Sequence, residues 1–252
     1  MDLGNIQSLF DATVRANPAQ QDGIEVERVA GVVRLTGLFN YISFWRLTAE
    51  SARSAVQAQA EHFRTRGEML MWRVYDYDGP SALSACLAEE GFAPDDPGTL
   101  MVFDLADALR GAPASDADIR RVQTVVELDD FVAAAGEAFG EEETWRRKAY
   151  ESRLDDPDLA LFVAYESGRA VGSARLEMSP ACPFGHLFGG GVAPAHRRRG
   201  RYRAMVAARV DEARQRGLKY LSTEARDTSR PILQSLGFIP VARATKWVLR
   251  PG

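Results

Sequence analysis

Residues Leu187–Met205 read L-F-G-G-G-V-A-P-A-H-R-R-R-G-R-Y-R-A-M, and the expected fold rests mainly on this segment. A strand-like segment passes through three glycines, turns at Pro194 and enters a helix at a corner rich in arginine. The start of a helix leaves backbone N–H groups unpaired and carries a partial positive charge, so it readily binds anions. Gly200 would let a bulky anion approach the backbone there. The stretch therefore predicts a phosphate-binding corner at a strand–turn–helix junction.

The glycines Gly189–Gly191 weaken a strand for packing, but they suit a β-bulge or a place where an extended ligand arm runs along bare backbone groups. Each feature alone has an ordinary explanation, since a short arginine run is often a solvated corner and a glycine pattern often serves sheet curvature. Their order along one strand, one turn and one helix favours a site for an extended anionic ligand.

The same segment resembles the acetyl-CoA signature of the GNAT superfamily of N-acetyltransferases, which has the form Val-x-Pro-x-x-Arg/Gln-x-x-Gly-x-Gly/Ala. The matching residues are Val192, Pro194, Arg197 and Gly200. Tyr202 departs from the last position of the pattern. Leu236-Gly237-Phe238 matches the usual ending of the family, so the resemblance covers roughly residues 119–249. It implies an N-acetyltransferase with acetyl-CoA as co-substrate, a small-molecule amine as acceptor and no metal.

The resemblance also implies which residues hold coenzyme A. The backbone from Gly190 to Val192 would pair with the pantetheine amides, and the N–H groups of the corner would hold the pyrophosphate. The cofactor-binding residues that follow are Gly190, Gly191, Val192, Arg197, Arg198, Arg199, Gly200, Arg201, Tyr202 and Arg203.

A second regularity is a repeat of one order of elements in the two halves of the chain. Each half contains a helix that ends at Arg-x-Arg-Gly, then a strand, a short helix ending in Gly-Phe-x-Pro, and a final strand. The Arg-x-Arg-Gly sequences end at Gly67 and Gly217, where a left-handed residue can close a helix. The positions that correspond to the arginine and glycine of the corner are Leu47 and Glu50 in the first half. A carboxylate there would repel a pyrophosphate, so the first half lacks the phosphate-binding corner.

We therefore predict an α/β fold with a mixed sheet, in the form of two tandem GNAT-like domains. The first, residues 1–108, is truncated or degenerate. Small and turn-forming residues make 109–118 a linker. Residues 119–252 form the predicted catalytic domain.

A general base is expected, because attack on a thioester needs a neutral amine. In family members that use a glutamate on the fourth strand, the base lies six positions before the signature valine. That position is His186 here, and an imidazole titrates near neutral pH. Glu177 and Glu224, each near the end of a predicted strand, are the alternatives.

The usual general acid of the family is a tyrosine four residues before the glycine of Gly-Phe. Leu233 occupies that position. Ser229, Tyr202 or water remain as proton donors to the thiolate, which leaves readily because its pKa is near 8.5.

The acceptor pocket in this family is shaped by the loop between the first two helices. Here that loop contains Glu141, Glu142 and Trp145, which could receive a cationic amine. The alternative is that the acidic residues complement a helix dipole and that the tryptophan belongs to the core.

Composition limits the other classes of protein. A net charge of −4 and a pI near 5.5 argue against bulk nucleic-acid binding. No apolar run approaches the roughly 20 residues of a membrane span, and the N-terminus lacks a secretory signal, so we expect a cytoplasmic protein.

Cys86 and Cys182 have neither disulfide nor metal-site spacing. Only three of 31 basic residues are lysines, which is typical of a GC-rich bacterial genome. A homodimer is left open.

Two other functions also stay open. The absent acid and the altered Tyr202 would suit a non-catalytic acyl-CoA sensor or interaction protein. A nucleic-acid-associated protein could use the arginines of the corner, and its affinity would then fall steeply with salt.

Overall fold

The computed structural model describes residues 2–19, 23–111, 117–140 and 144–251, with the backbone alone at residues 96 and 144–146. The helices are α1 Leu3–Phe10, α2 Ala49–Thr65, α3 Leu83–Glu89, α4 Val125–Phe139, α5 Thr144–Glu151, α6 Arg201–Gln215 and α7 Arg230–Leu236. The strands are β1 Ile24–Val29, β2 Val32–Gly37, β3 Tyr41–Trp45, β4 Leu70–Tyr75, β5 Ala93–Asp104, β6 Asp118–Arg121, β7 Leu159–Glu166, β8 Arg169–Glu177, β9 Phe184–Val192, β10 Tyr220–Ala225 and β11 Ile239–Leu249. A π-helical turn, Asp11–Arg15, extends α1, and a 3-10 turn, Pro194–His196, precedes α6. No helix in these ranges is long and apolar enough to cross a membrane.

The chain divides into two compact units, and neither is continuous in sequence. The first consists of Met1–Met101, Glu224–Arg230 and Pro240–Gly252, and the second of Val102–Thr223 and Pro231–Ile239. The final strand, β11, therefore belongs almost wholly to the first unit, where it pairs antiparallel with β4. This division differs from the predicted linker at 109–118, of which 112–116 lie outside the described residues. Local sequence shows that a strand exists but not which distant strand edge it will pair with.

In the first unit the strand order is β1-β2-β3-β4-β11, and residues 93–101 of β5 follow. The hairpin β1–β2 turns at Ala30 and Gly31, both at positive φ. The strands β3 and β4 are parallel and pair only at Tyr41–Met71 and Ile42–Trp72. The core of this unit packs α2 and α3 on the sheet through buried apolar side chains, including Val56, Phe63, Trp72 and Leu87.

In the second unit the strand order is β10-β9-β8-β7-β6. One face carries α4 and α5, whose Phe131 and Tyr150 join Leu161 and Val163 of β7 in a buried cluster. The opposite face carries α6. Both faces are covered, and this explains why β7 is a continuous apolar run rather than an alternating one.

The repeat seen in the sequence is a repeat of backbone structure. Both α2 and α6 are closed by a glycine at positive φ, Gly67 at 65° and Gly217 at 71°. In each case the glycine N–H bonds the carbonyl three residues back and the next N–H bonds the carbonyl five residues back, at 3.0 to 3.1 Å. The first copy is shorter at its front, since α1 and the π-helical turn precede β1 where β6, α4 and α5 precede β7. The predicted mixed α/β fold is confirmed.

Candidate functional site

A fork opens in the second unit between the parallel strands β9 and β10. Their pairing runs through Phe184–Tyr220 and Gly185–Leu221 and ends at His186–Ser222. Just past the last pair, Thr223 donates its hydroxyl to the carbonyl of Leu187 at 2.9 Å. Beyond this point β9 stays paired with β8 only, so its other edge carries backbone groups that a ligand arm can use.

A β-bulge lies in the part of β9 that borders the fork. Ser173 faces Gly191 and Arg175 faces Phe188, so one residue of β8 opposes Gly189 and Gly190 of β9. Gly189 has a φ of 54°, a conformation that L side chains rarely adopt. The predicted bulge is therefore present at the three glycines.

Protein side chains already cover both faces of the glycine segment. A Cβ at Gly190 would lie 3.2 Å from the Tyr202 ring and 3.3 Å from the Arg209 guanidinium, both on α6. A Cβ at Gly191 would lie 2.8 Å from the Phe139 ring of α4. The glycines thus let two helices approach the strand from opposite sides, and only the strand edge remains for a ligand. The sequence predicted bare backbone here, but not that its faces would be filled.

The predicted phosphate-binding corner lies at the start of α6. Gly200 is the N-cap residue, with φ 79° and ψ −10°, and no atom comes within 4 Å of where its Cβ would be. No side chain caps the helix. The first N–H groups of α6 are therefore available to an anion, with open space in front of Gly200.

The signature arginine, Arg197, uses its guanidinium on backbone carbonyls. Its Nε donates to the carbonyl of Val192 at 2.9 Å, and its Nη2 to that of Ala138 at 3.1 Å. Ala138 lies in the last turn of α4, where carbonyls lack helical partners. Arg197 thus ties the end of α4 to the end of β9 and supports the corner from behind.

Glu166, at the end of β7, neutralises part of the positive charge of the corner. Its carboxylate is paired with His196, with Arg199 at 2.8 Å and with Arg201. The hydrogen bond from His196, together with the two arginines, holds the pKa of Glu166 below its usual range. Within the described residues Arg198 and Arg203 form no ion pair, so these two side chains remain to meet a phosphate. The sequence offered no sign of Glu166, which sits 30 residues or more away from its partners.

A polar group of side chains lies on the face of the sheet that carries α4 and α5. The cross-strand pairs Glu177–His186 and Arg175–Phe188 place these four side chains on one face. Arg175 lies over the rings of Tyr150 and Phe188, 5.5 and 4.9 Å from their centres, and its Nε is 3.0 Å from the Glu177 carboxylate. The structure thus brings together two of the predicted catalytic residues, His186 and Glu177.

The histidine is held by the neighbouring strand. Its Nδ1 lies 2.7 Å from the hydroxyl of Ser222, its parallel partner on β10. Burial lowers the pKa of His186 to about 4, so the ring is neutral at neutral pH. In the tautomer that carries hydrogen on Nδ1, this nitrogen donates to Ser222, and Nε2 is then the nitrogen that can accept a proton.

Other predicted residues lie elsewhere. Glu224 belongs to the first unit, where Tyr75 donates to its carboxylate at 2.7 Å and Arg73 forms an ion pair with it. The half-buried Ser229 donates its hydroxyl to the carbonyl of Arg226 in a local turn. Leu233 is 1% exposed and belongs to the core. Glu141 and Glu142 lie outside the described residues, and only the backbone of Trp145, in α5, is described.

The comparisons with known proteins agree with this geometry. Residues 126–238 match the model of the Acetyltransferase (GNAT) family. The chain is similar in structure to a GCN5-related N-acetyltransferase from Kribbella flavida, with a TM-score of 0.74 and 17% identity over 99% of this chain and 96% of that one. It is also similar to a tandem GNAT protein from the clavulanic acid biosynthesis pathway, with a TM-score of 0.64 and 15% identity over 99% and 95%.

A further similar structure is an acetyltransferase of the GNAT family from Colwellia psychrerythraea, with a TM-score of 0.61 and 15% identity over 98% and 96% of the two chains. At these identities the likeness is one of fold. No curated protein matches the chain in sequence. The family match, the fork and bulge in β9 and the open start of α6 coincide in one segment, and residues 126–238 are accordingly a GNAT-family domain within a chain of tandem GNAT fold.

Proposed function

We propose that the second unit binds acetyl-CoA along the fork and transfers the acetyl group to a primary amine of a small molecule. The observation that carries this proposal is the open edge of β9 leading to the uncapped start of α6. An extended arm with an anionic head fits this order of groups, because amides along the edge pair with the arm and the helix start meets the anion. Acyl transfer from CoA is the chemistry of the family.

The residues at the corner and the bulge would divide the binding between them. The N–H groups from about residue 198 to 203, with Arg198 and Arg203, would hold the pyrophosphate. The edge of β9 from Gly190 to Val192 would pair with the pantetheine arm. Arg197 would hold the corner and the edge of β9 in fixed relative positions through its bonds to the carbonyls of Val192 and Ala138. The thioester, when bound, supplies an activated acyl group and a good leaving group.

We propose His186 as the general base for the attacking amine. Ser222 would orient the ring through Nδ1, and Nε2 would take the proton. Burial keeps His186 in the neutral form that can accept a proton at neutral pH, and a pKa of about 4 makes it a weaker base than an exposed imidazole. Glu177, beside His186 on the same face, would attract a cationic acceptor. Since Leu233 is core, we assign protonation of the leaving thiolate to water.

Isothermal titration with coenzyme A and a thiol-release assay with acetyl-CoA over a panel of small amines test this function together. We expect binding of one CoA per chain and turnover on at least one amine. Binding without turnover on any amine would favour the alternative, a non-catalytic acyl-CoA sensor. Absence of CoA binding would remove the proposal altogether.

We also expect the ring of His186 to titrate at an unusually low pH. Because burial disfavours the imidazolium, its ring proton signals should shift with a midpoint near pH 4 rather than near 6.5. Two-dimensional NMR of the three histidine rings measures this, and the His186→Asn variant identifies the signal by its loss. A midpoint near 6.5 would mean that water reaches the ring and that burial does not set its protonation state. His186→Asn should also lower kcat by about 10²- to 10⁴-fold.

A further inference from the structure

The buried arginine behind the bulge has no obvious structural need for its charge. Arg209 lies on the inner face of α6 and is 2% exposed. Burial lowers the pKa of its guanidinium to about 10, which still leaves it charged at neutral pH. Within the described part of the chain no carboxylate is paired with it. A buried, unpaired cation is costly, so its position calls for an explanation.

Apart from one hydrogen bond within its own helix, the guanidinium of Arg209 lies against the bulge. Its Nε donates to the carbonyl of Met205 on its own helix at 3.0 Å, and its Nη1 to that of Arg175 at 3.3 Å. Arg175 is the β8 residue beside the register shift. The two Nη atoms lie 3.3 and 3.6 Å from where a Cβ of Gly190 would be, next to the Tyr202 ring. The guanidinium therefore spans the strands β8 and β9 where the extra residue is inserted.

We propose that Arg209 is a positioning residue for the pantetheine arm, because it holds the bulge of β9 in the shape whose free edge receives that arm. A bulge disrupts the ladder locally and leaves backbone groups in need of partners. A guanidinium offers five donors in a fixed plane, which an aliphatic side chain of the same length cannot replace. This inference rests on the proposed function, since it concerns how the same site binds CoA.

Replacing Arg209 should therefore lower the affinity for a ligand that carries the pantetheine arm, but not the affinity for the head group alone. The start of α6 lies more than two helical turns from Arg209, so the anion site should survive its replacement. Arg209→Met should weaken CoA binding by about tenfold or more, which corresponds to one or two lost hydrogen bonds. Its affinity for adenosine 3′-phosphate 5′-diphosphate, the CoA head group without pantetheine, should stay within about twofold.

Calorimetric titration of the full chain with these two ligands is the test. Met205→Leu, a volume-conserving change on the same helix that keeps the backbone carbonyl, is the control and should leave both affinities unchanged. Arg209→Lys keeps the charge but not the fork of donors, so we expect a loss for CoA alone, smaller than in Arg209→Met. It serves as the test variant if Arg209→Met fails to fold.

Two results would overturn the inference. Unchanged CoA affinity in Arg209→Met, or an equal loss for CoA and for the head group, would show that Arg209 does not act through the bulge. If the wild-type chain binds neither ligand, the proposed function fails first. If the wild type binds both and the variants do not discriminate between them, the failure belongs to Arg209 alone.

Discussion

Replacing Gly200 by glutamate is expected to weaken coenzyme A binding by about 10²- to 10³-fold. Gly200 is the N-cap of α6, and the space in front of it is open, so a carboxylate there would stand where a pyrophosphate is expected. At an effective dielectric constant of about 20, two like charges some 4 to 8 Å apart repel by about 2 to 4 kcal/mol. Calorimetric titration with CoA measures the loss, which should shrink as salt is added.

The stability cost of the change must be separated from its effect on binding. A side chain at a φ of 79° is strained by roughly 1 kcal/mol whatever its charge. Gly217, at the other end of α6, has a φ of 71° and equally open surroundings. Gly217→Glu is therefore the matched control, with a similar loss of stability and unchanged CoA affinity. Gly200→Asn, neutral and tolerant of this backbone, should keep most of the affinity.

If Gly200→Glu binds CoA as tightly as the wild type, the phosphate-binding corner is not at the start of α6. An equal loss in Gly217→Glu would instead point to a general effect of glutamate on the helix.

The corner was predictable because its parts are neighbours in sequence. A strand, a turn and a helix start within residues 187–205 needed only local rules, and Gly200 lies at the helix cap as expected. The bulge followed from the three glycines in the same way. The helix endings at Gly67 and Gly217 could also be recognised, because each is decided by a few consecutive residues.

What the sequence could not show was set by partners far along the chain. Glu224 looked like a catalytic alternative, but Arg73 and Tyr75, some 150 residues away, engage its carboxylate. The sequence also did not show that β11 lies in the first unit, because the pairing of a strand depends on which distant strand edge is available. Only the structure reveals that the charge of Arg209 lies behind the bulge, since Gly190 is 19 residues away in sequence.

The first unit contains a counterpart of the fork, and the chain itself fills it. Arg15, from the π-helical turn, is 3% exposed and donates its Nε to the carbonyl of Ser43 at 3.0 Å. Its other nitrogens bind both oxygens of Asp78, at 2.8 and 2.9 Å, and Asp11 at 2.6 Å. The guanidinium lies 4.8 and 5.0 Å from the ring centres of Tyr75 and Trp45.

The two forks correspond residue by residue at their closed ends. Ser43 is the first residue of β3 past the last strand pair, Ile42–Trp72, as Leu187 is the first of β9 past His186–Ser222. A threonine hydroxyl bonds the carbonyl of Leu187, whereas a guanidinium from the N-terminal segment bonds that of Ser43. The first fork is thus occupied by Arg15, in addition to lacking a phosphate-binding corner. This supports a first unit without a CoA site.

Arg15→Ala is expected to destabilise the first unit by about 3 to 5 kcal/mol. The change removes the cation and leaves the buried carboxylate of Asp78, 8% exposed, without its partner. Burial opposes the charges of both groups and raises the pKa of Asp78, yet the bonds to Asp78 raise the pKa of Arg15 above its usual value, so the arginine stays charged. Urea unfolding followed by tryptophan fluorescence measures the loss, because Trp45, Trp72 and Trp247 all lie in the first unit.

The matched control is Arg53→Ala, which removes an arginine that is 65% exposed and paired with Glu89 on the surface. Its urea midpoint should stay close to that of the wild type, because water screens an exposed ion pair. Removing Asp78 together with Arg15 should recover part of the stability, because no buried carboxylate is then left without a partner.

The number of CoA molecules bound should remain one per chain in every variant that folds, since emptying the first fork does not create a helix start free of Glu50. A loss below about 1 kcal/mol in Arg15→Ala, or a second CoA bound per chain, would mean that Arg15 is not what closes the first fork.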